Sequence, residues 1–538
     1  MAEKIALIWP EITLFITTCL VMILGLSPSK QWRSLCMPAS MTGVAVAGVL
    51  AALGIANGAP QSDTMLPNMP GFVKVTVAGV GLLLILLQSG LIDRREEALV
   101  ASGRAFSPLR TNRAEYFSLV LFSLTGLMLC ASAGDLIWLF LALELTSLPT
   151  YVMVSMSSSR GRAQEAGVKY FFLGALGAAT FLYGFVMLYG GTGTLKLAPM
   201  AGVIASEGIN NITMIGLLLS IAGLAFKIAA VPMHFYTADV YQGAASPVTA
   251  FLAFVPKTAG FVALLLICSV AGWTHGASGE GLPEALRVML WVMAAVTMTV
   301  GNVLALLQNS VKRMLAYSSI AHSGYMLVGL LAGPGDGTFA SSGVAAVLFY
   351  LAAYGVTNTG AFAVIACLEK RAADRGEPME VEDFDDLRGL WRREPALGVV
   401  LAIVSLSLLG FPPLLGFMAK LPLFTSGIAA GEIALVVVLG VNSAIAAFYY
   451  LRIVKAAMID DPKGGAADSP DRPVHHPAYG LRFTTGAISA VGVIGLAILA
   501  GQLAGGATSA SVYAEPVVGD SIDGPITVQD QPEREPHV

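Results

Sequence analysis

The sequence predicts an all-α membrane protein whose helices cross the bilayer many times. One observation is composition: 56% of the 538 residues are hydrophobic and only 12% are charged, whereas soluble domains carry about 25% charged residues. Another is that apolar runs of about 20 residues, the length of a bilayer-crossing helix, recur along most of the chain. Backbone polar groups in lipid must be satisfied internally, so runs of this length indicate helices.

Fourteen runs have this length. No A-x-A cleavage pattern follows the first run, so we expect it to be retained as a helix rather than removed as a signal peptide. The segment from Gly505 onwards is a polar, acidic tail. The predicted spans are 5–26, 34–56, 72–92, 114–133, 136–156, 166–190, 212–236, 246–271, 284–308, 312–333, 343–369, 394–428, 432–459 and 481–504.

Basic residues divide sharply between the two sets of loops that these spans define. Most of the 31 lysines and arginines fall in one set, which the positive-inside rule places on the inner side of the membrane. Both termini are then predicted on the outer side. The outer set holds Lys4, Lys74, Lys196, Arg287 and Arg534, and three lysines belong to neither set: Lys227, Lys257 and Lys420.

Two further ionisable residues are predicted near the middle of spans, in addition to these three lysines. Glu144 lies in LALELTSLPTYVMV and His322 lies in AYSSIAHSGYMLVG. A charged residue at the centre of a bilayer costs roughly 2.5–3.5 kcal/mol on insertion scales, and such residues commonly mark ion or proton pathways. A single histidine within a span is about as often a structural hydrogen-bonding partner as a member of such a pathway. Several ionisable groups on separate helices indicate a polar file through the protein.

Prolines accompany each of the intramembrane lysines. Proline removes a backbone donor and clashes with the preceding turn, and any one such proline alone is explained by a plain kink. Broken helices beside buried charges are typical of transporters, so the pattern predicts helix breaks, above all in the seventh and twelfth spans. The prolines are Pro232 near Lys227, Pro256 next to Lys257, and Pro412 and Pro413 before Lys420.

Two parts of the chain resemble each other at an offset of 178 residues. FFLGALG at 171–177 resembles FYLAAYG at 349–355, and the same offset relates Glu144 to His322. Helices four to eight and nine to thirteen are then two five-helix repeats, inverted relative to each other because five is odd. The predicted division is 1–110 (helices one to three), 111–273 and 284–460 (the repeats), 461–504 (a loop and helix fourteen) and 505–538 (the tail).

Four sequence blocks make the chain resemble the antiporter-like membrane subunits of respiratory complex I. The blocks fall in helices four to thirteen. Lysine at position 420, and the lack of room for a long lateral helix after the last span, favour one of these subunits over the others. The blocks are ELTSLPTYVM, AFKIAAVPMHFYTADVYQGAASPVTAFLAFVPKTAGF, VKRMLAYSSIAHSGYML and GFPPLLGFMAKLPLF.

The resemblance implies a role for each intramembrane charge. Glu144 partners Lys227, Lys257 forms a central link, Lys420 serves a second half-channel, and His322 matches a position of less settled importance. We therefore expect a proton-translocating subunit of an NADH:quinone oxidoreductase, driven by quinone reduction elsewhere in the complex. No redox chemistry is expected in this chain itself.

Partners and cofactors are also implied by the resemblance. The expected partners are the lipid bilayer of a bacterial inner membrane and the other membrane-arm subunits, including the other antiporter-like ones. Flavin, iron–sulfur clusters and quinone are expected in other subunits, with no cofactor or metal in this one. The residues agree, because the five cysteines lie singly and neither a GxGxxG nor a Walker pattern is found. A net charge of −4 without a basic tract gives no reason to expect nucleic acid.

Other functions remain as alternatives. A subunit of a multisubunit cation/proton antiporter or of a membrane-bound hydrogenase would share the repeat and its charges. A solute transporter would need polar groups suited to a solute, whereas the groups in these spans are mainly ones that carry protons. A purely structural subunit would not explain the buried charges.

Overall fold

The computed structural model of the chain describes residues 7–57, 62–91, 102–103, 107, 111–157, 161–275, 281–374, 383–462 and 477–516. In these ranges the backbone forms helices and isolated β-bridges, without a strand. The predicted all-α class is confirmed. Several basic residues used to predict orientation, Lys4 and Arg534 among them, lie outside the described residues, as does the tail beyond residue 516.

The N-terminal part contains four helices among the residues that the structure describes. Proline at the second position of the first and the last of them suits a helix start, because the N–H that proline lacks has no partner in the first turn. These helices are α1 (Trp9–Gly25), α2 (Lys30–Ser34), α3 (Cys36–Ala56) and α4 (Met69–Leu87).

The next part of the chain holds seven described helices, two of which lie in predicted loops. One has 11 residues, too few to cross a bilayer, and the other has 7 residues and follows the break in the seventh span. The helices are α5 (Arg113–Ala131), α6 (Leu136–Met156), α7 (Gly161–Thr192), α8 (Leu197–Glu207), α9 (Asn211–Lys227), α10 (Thr237–Gly243) and α11 (Ser246–Ala271).

A second series of helices repeats this pattern. It comprises α12 (Glu284–Leu306), α13 (Val311–Ala332), α14 (Gly343–Asp374), α15 (Leu390–Arg393), α16 (Pro395–Leu409), α17 (Leu415–Ala429) and α18 (Ile433–Met458). Helices α7 and α14 each have 32 residues, and α11 and α18 each have 26. Each series also contains one interrupted helix, α9 with α10 and α16 with α17. These matches are what two five-helix repeats require.

Two described helices follow, α19 (Pro477–Ile498) and α20 (Ala500–Ala510). The second extends helical structure into the segment predicted as the start of the tail. Eleven helical stretches of the described residues are long and apolar enough to cross a membrane, and they coincide with eleven predicted spans.

The other three predicted spans, 5–26, 212–236 and 394–428, contain helices that are too short for this criterion. Two of these spans are interrupted at the predicted breaks in helices seven and twelve. The count of fourteen membrane-crossing helices therefore stays a prediction.

Helices α11 and α13 lie at the centre of the molecule. Every residue of α11 is buried, as is most of α13. Outer helices instead expose large apolar side chains, such as Phe15 of α1, Val49 of α3 and Phe172 of α7. In a membrane these surfaces face lipid or other apolar protein, so polar groups on α11 and α13 are held away from the bilayer.

Candidate functional site

Glu144 and Lys227 form an ion pair between α6 and α9. Lys227 Nζ lies 3.1 Å from Glu144 Oε1 and also donates a hydrogen bond to Ser147 Oγ at 2.6 Å. Glu144 and Ser147 share a face of α6 because they are three residues apart. The Lys227 side chain is 2% exposed and that of Glu144 is 19% exposed. A buried ammonium group is thus balanced by a carboxylate that reaches the surface of the chain.

The break predicted in the seventh span follows directly after this pair. Helix α9 ends at Lys227, and helical geometry resumes at Thr237, with Pro232 between them. The hydroxyl of Tyr236 donates to the backbone oxygen of Phe226 at 2.9 Å. A side chain therefore satisfies a carbonyl near the helix end, as a break within a membrane requires.

Lys257 lies at the middle of α11 and contacts α13. Its Nζ donates to the backbone oxygen of Ser319 and to Ser319 Oγ, the latter at 2.5 Å. It also lies 5.1 Å from the centre of the Tyr354 ring. Among the described residues no carboxylate forms an ion pair with Lys257. Hydroxyl, carbonyl and aromatic groups surround this cation where Lys227 has a carboxylate.

Pro256 does not break its helix, so this sequence prediction was wrong. Helix α11 continues through Pro256 from Ser246 to Ala271. Protein encloses α11 on all sides, and packing against its neighbours holds the helical path although one backbone hydrogen bond is lost. Helices α6 and α17 also continue through a proline, Pro149 and Pro422 respectively.

His322 is held between two tyrosine hydroxyls. Its Nδ1 lies 2.6 Å from the Tyr350 hydroxyl and its Nε2 lies 2.9 Å from the Tyr450 hydroxyl. A neutral imidazole has one N–H donor and one acceptor nitrogen, so one tyrosine accepts from the ring while the other donates to it. Tyr450 continues this chain of hydrogen bonds to the Ser318 hydroxyl.

Lys420 binds the end of the helix that precedes the break in the twelfth span. Helix α16 ends at Leu409, helix α17 begins at Leu415, and Pro412 and Pro413 lie between them. Lys420 Nζ donates to the backbone oxygen of Leu409 at 2.7 Å. The last carbonyls of a helix lack intrahelical donors and carry partial negative charge, so this helix end suits a cation.

A small cavity lies between Lys227 and Lys257. The volume open to the centre of a water molecule is ≈ 10 Å³, which is about enough to hold one water. Its wall includes both lysines and is otherwise rich in tyrosine, with Tyr170, Tyr236 and Tyr241. A single water there would lie between the two cations.

The sequence reasoning identified the charged groups but missed the hydroxyl groups that connect them. Ser147 and Ser319 had a usable signal, because each lies three residues from an intramembrane ionisable residue on the same helix face. The tyrosines had no such signal, since their contacts depend on how distant helices pack. The missed residues are Ser147, Tyr241, Ser319, Tyr350 and Tyr450.

Lys74, assigned from the sequence to an outer loop, is instead buried. Its Nζ forms an ion pair with Glu11 Oε1 at 2.8 Å and donates to the backbone oxygen of Leu7 at 2.7 Å. Both side chains are nearly inaccessible. The assignment was wrong because Lys74 lies one turn inside α4, where α1 covers it. A second buried ion pair therefore joins the first and third predicted spans.

Comparison with known proteins agrees with this architecture. The family described as "NADH:quinone oxidoreductase/Mrp antiporter, TM" matches residues 133–446. NADH-quinone oxidoreductase subunit N of Trichlorobacter lovleyi is 37% identical over 83% of this chain and 86% of its own length. The corresponding subunit N of Nitrosomonas europaea is 38% identical over 85% and 89% of the two chains.

Solved structures also include chains that align with this one over most of its length. A chain of respiratory complex I from Thermus thermophilus aligns with a TM-score of 0.68 at 30% identity, covering 92% of this chain and 98% of that one. A chain of the Mrp complex from Dietzia has a TM-score of 0.74 at 20% identity, covering 96% and 98% of the two chains, and shows the shared fold alone. The chain belongs to the NADH:quinone oxidoreductase/Mrp antiporter membrane-subunit family and, within it, to the subunit N group that Lys420 favours.

Proposed function

We propose that this chain is a proton-translocating membrane-arm subunit of an NADH-quinone oxidoreductase. Five ionisable residues would carry the protons: Glu144, Lys227, Lys257, His322 and Lys420. The observation that carries the proposal is the burial of three lysines along the centre of the helix bundle, of which only Lys227 has a carboxylate partner among the described residues. Isolated buried ammonium groups are costly, and such groups within membranes serve most often in ion or proton pathways.

The Glu144–Lys227 pair would act as the switch. Burial disfavours the charged form of an amine, and a nearby carboxylate favours it. Lengthening the 3.1 Å separation would weaken the attraction and favour release of the Lys227 proton. Shortening the separation again would favour uptake. Conformational changes driven by quinone reduction elsewhere in the complex would then change this distance, and with it the affinity of Lys227 for its proton.

The two interrupted helices would provide two half-channels. Lys227 ends the helix before the first break, whereas Lys420 follows the second break. The repeats are inverted, so breaks placed in this way suit access from opposite faces of the membrane. Lys257 and His322, on the central helices α11 and α13, would link the two halves.

The chain is a multi-pass membrane protein, and its placement in a bacterial inner membrane with both termini outside is part of the proposal. Its partners would be the other membrane-arm subunits, including the antiporter-like ones. Flavin, iron–sulfur clusters and quinone would be bound by other subunits. Among the described residues, no group of three or more histidine, cysteine or acidic side chains is arranged to hold a metal ion.

The test is proton pumping by the intact complex in sealed vesicles, normalised to the amount of assembled complex. Replacing Lys257 with alanine should abolish most pumping coupled to NADH oxidation, because the link between the half-channels is lost. Normal pumping by an assembled Lys257→Ala complex would refute the proposed path. Pumping of sodium ions in place of protons would instead favour the cation/proton antiporter alternative.

A further inference from the structure

Lys257 is connected to the cavity beside Lys227 by a line of two hydroxyl groups. Ser319 Oγ accepts a hydrogen bond from Lys257 Nζ at 2.5 Å and lies 3.3 Å from the Tyr241 hydroxyl oxygen. Tyr241 in turn lines the cavity that Lys227 and Lys257 also line, and the Nζ of Lys257 donates its hydrogen bonds to Ser319. All of these side chains are buried. The line therefore runs from the cavity through Tyr241 and Ser319 to the ammonium group without reaching the surface.

The three residues come from three helices that the break brings together. Tyr241 lies on α10, the short helix that follows the interruption after Lys227, and Ser319 lies on α13, which packs against α10. Lys257 lies on α11. Ser319 is also three residues before His322, so the two side chains share a face of α13. Ser319 is thus placed between the cavity on one side and the histidine on the other.

We propose that Ser319 and Tyr241 form a proton wire that delivers protons from the cavity to Lys257. This inference rests on the proposed function and assigns residues that it leaves open. A water in the cavity gives a proton to the Tyr241 oxygen, the Tyr241 proton moves to Ser319 Oγ, and the Ser319 proton moves to the neutral Lys257 amine. Each hydroxyl oxygen gains one proton and loses one, and the ammonium group of Lys227, which also lines the cavity, returns a proton to the water. The net change is the transfer of one proton from Lys227 to Lys257.

The geometry favours this wire because each member has the required hydrogen-bonding capacity. A hydroxyl has one donor and two acceptor positions, and can rotate between the two directions of transfer. Lys257 as an ammonium group would donate to Ser319 Oγ, which lies 2.5 Å from its Nζ. A neutral amine would accept from Ser319 instead. The Ser319 hydroxyl therefore changes direction with the charge of Lys257, and Tyr241 changes with it.

Ser319 would also fix the position of Lys257. The ammonium group donates to both the backbone oxygen and the hydroxyl of this one residue. Alanine at 319 retains the backbone acceptor, so it removes the wire while keeping part of the anchor. Threonine retains both. This difference separates proton delivery from simple support.

The experiment compares Ser319→Ala, Ser319→Thr and Tyr241→Phe in the intact complex in sealed vesicles. Ser323→Ala serves as the matched control, because Ser323 is a buried serine on the same helix whose hydroxyl donates to backbone oxygens. Pumping per assembled complex should fall roughly tenfold in Ser319→Ala and Tyr241→Phe. This is less than the full effect of a lost proton-transfer group, because water can enter the gap. Ser319→Thr and Ser323→Ala should retain most of the activity.

The pH profile gives a second readout that a structural defect would not change. With the wire removed, proton delivery limits turnover, so the loss in Ser319→Ala should grow as the pH rises. An equal loss at every pH, an equal loss in Ser323→Ala, or no restoration by Ser319→Thr would overturn the wire. If Ser319→Ala does not assemble, the Tyr241→Phe profile decides. Lys257→Ala, measured in parallel, separates the two proposals: normal pumping there refutes the proposed function, whereas its loss beside normal Ser319→Ala refutes the wire alone.

Discussion

Lys227 and Glu144, 83 residues apart in sequence, meet at 3.1 Å where α9 ends and α6 passes it. The carboxylate is partly exposed and the ammonium group is buried. Because only Glu144 of the two is partly exposed, a change in solvent access to this carboxylate changes its electrostatic attraction for the proton on Lys227. The solvent does not reach that proton directly.

Replacing Glu144 with glutamine should strongly reduce proton pumping and coupled quinone reduction in an assembled complex. Glutamine keeps the shape and can still accept a hydrogen bond from Lys227, but it removes the charge that favours the ammonium form. We expect a loss of about 10²-fold or more, from the lower end of the range for groups that control a proton transfer. Pumping and NADH oxidation in vesicles are the measurements, and normal pumping by the assembled variant would contradict the role.

Lys227→Arg tests whether the lysine charge must vanish during turnover. Arginine stays protonated in proteins, so the variant keeps a cation beside Glu144 and should assemble, yet pumping should be largely lost. Lys227→Ala should also lose pumping, because the proton site is gone. A purely structural lysine predicts the opposite pattern, in which arginine is tolerated and alanine assembles poorly because Glu144 loses its partner. Full pumping with arginine would falsify the switching role.

The functional importance of Glu144 and Lys227 was predictable from energetics, because charges within spans are costly. Their pairing was implied by the resemblance to the antiporter-like subunits, and the breaks at Pro232 and Pro412 followed from local chemistry. The contacts of Ser319 and Tyr450 were not predictable, because serine and tyrosine are common in such helices and become significant only when α10, α13 and α18 pack together.

Two errors show where local patterns fail. Pro256 was expected to break its helix, but tertiary packing around α11 overrides the local effect of proline. Lys74 was assigned to an outer loop because it lies near a span boundary, and only the packing of α1 over α4 shows that it is buried. In both cases the deciding term is the arrangement of neighbouring helices, which hydrophobic runs do not encode.

Asp239 is expected to hold α10 against its neighbouring helices through ion pairs, and not to carry protons. It lies on α10, outside the candidate spans, and pairs with Arg313 at 2.8 Å and Lys169 at 3.0 Å. Partial burial alone would raise the pKa of Asp239, but hydrogen bonds from Arg313 and Lys169, with their charges, lower it below its usual range. A depressed pKa gives stabilisation that is present above the unfolded value, about pH 4, and is lost as the pH falls through the folded value.

The Asp239→Asn variant should therefore lose the same small amount of thermal stability at every pH from about 6 to 8, and less at high salt. Its pumping should keep the wild-type pH profile. Thermal unfolding of the purified complex and pumping across this range are the measurements. A shifted pumping profile would show that Asp239 exchanges protons during turnover.

The buried pair between Glu11 and Lys74 should stabilise the N-terminal helices without affecting pumping. Lys74→Ala leaves the Glu11 carboxylate buried without its partner, and breaking such a pair typically costs about 3–5 kcal/mol. We expect less assembled complex and a lower melting temperature, but normal pumping per assembled complex. Replacing both residues with apolar ones of similar size, Glu11→Leu with Lys74→Met, should restore much of the assembly. Lost pumping in an otherwise stable double variant would instead give the pair a part in proton transfer.

His322 offers a comparison between removing a side chain and blocking its space. Alanine leaves a gap bordered by the hydroxyls of Tyr350 and Tyr450, and a gap with polar partners can hold water. Water would then continue the proton path, so His322→Ala should reduce pumping only mildly. Phenylalanine fills the gap without a proton site, so His322→Phe should reduce pumping much further, by roughly 10²-fold. Both variants are measured as pumping per assembled complex, with thermal stability as the control for packing. Equal, near-normal pumping in the two variants would place the proton path elsewhere. Equal and severe losses would mean that the imidazole itself, and not a polar gap, carries the proton.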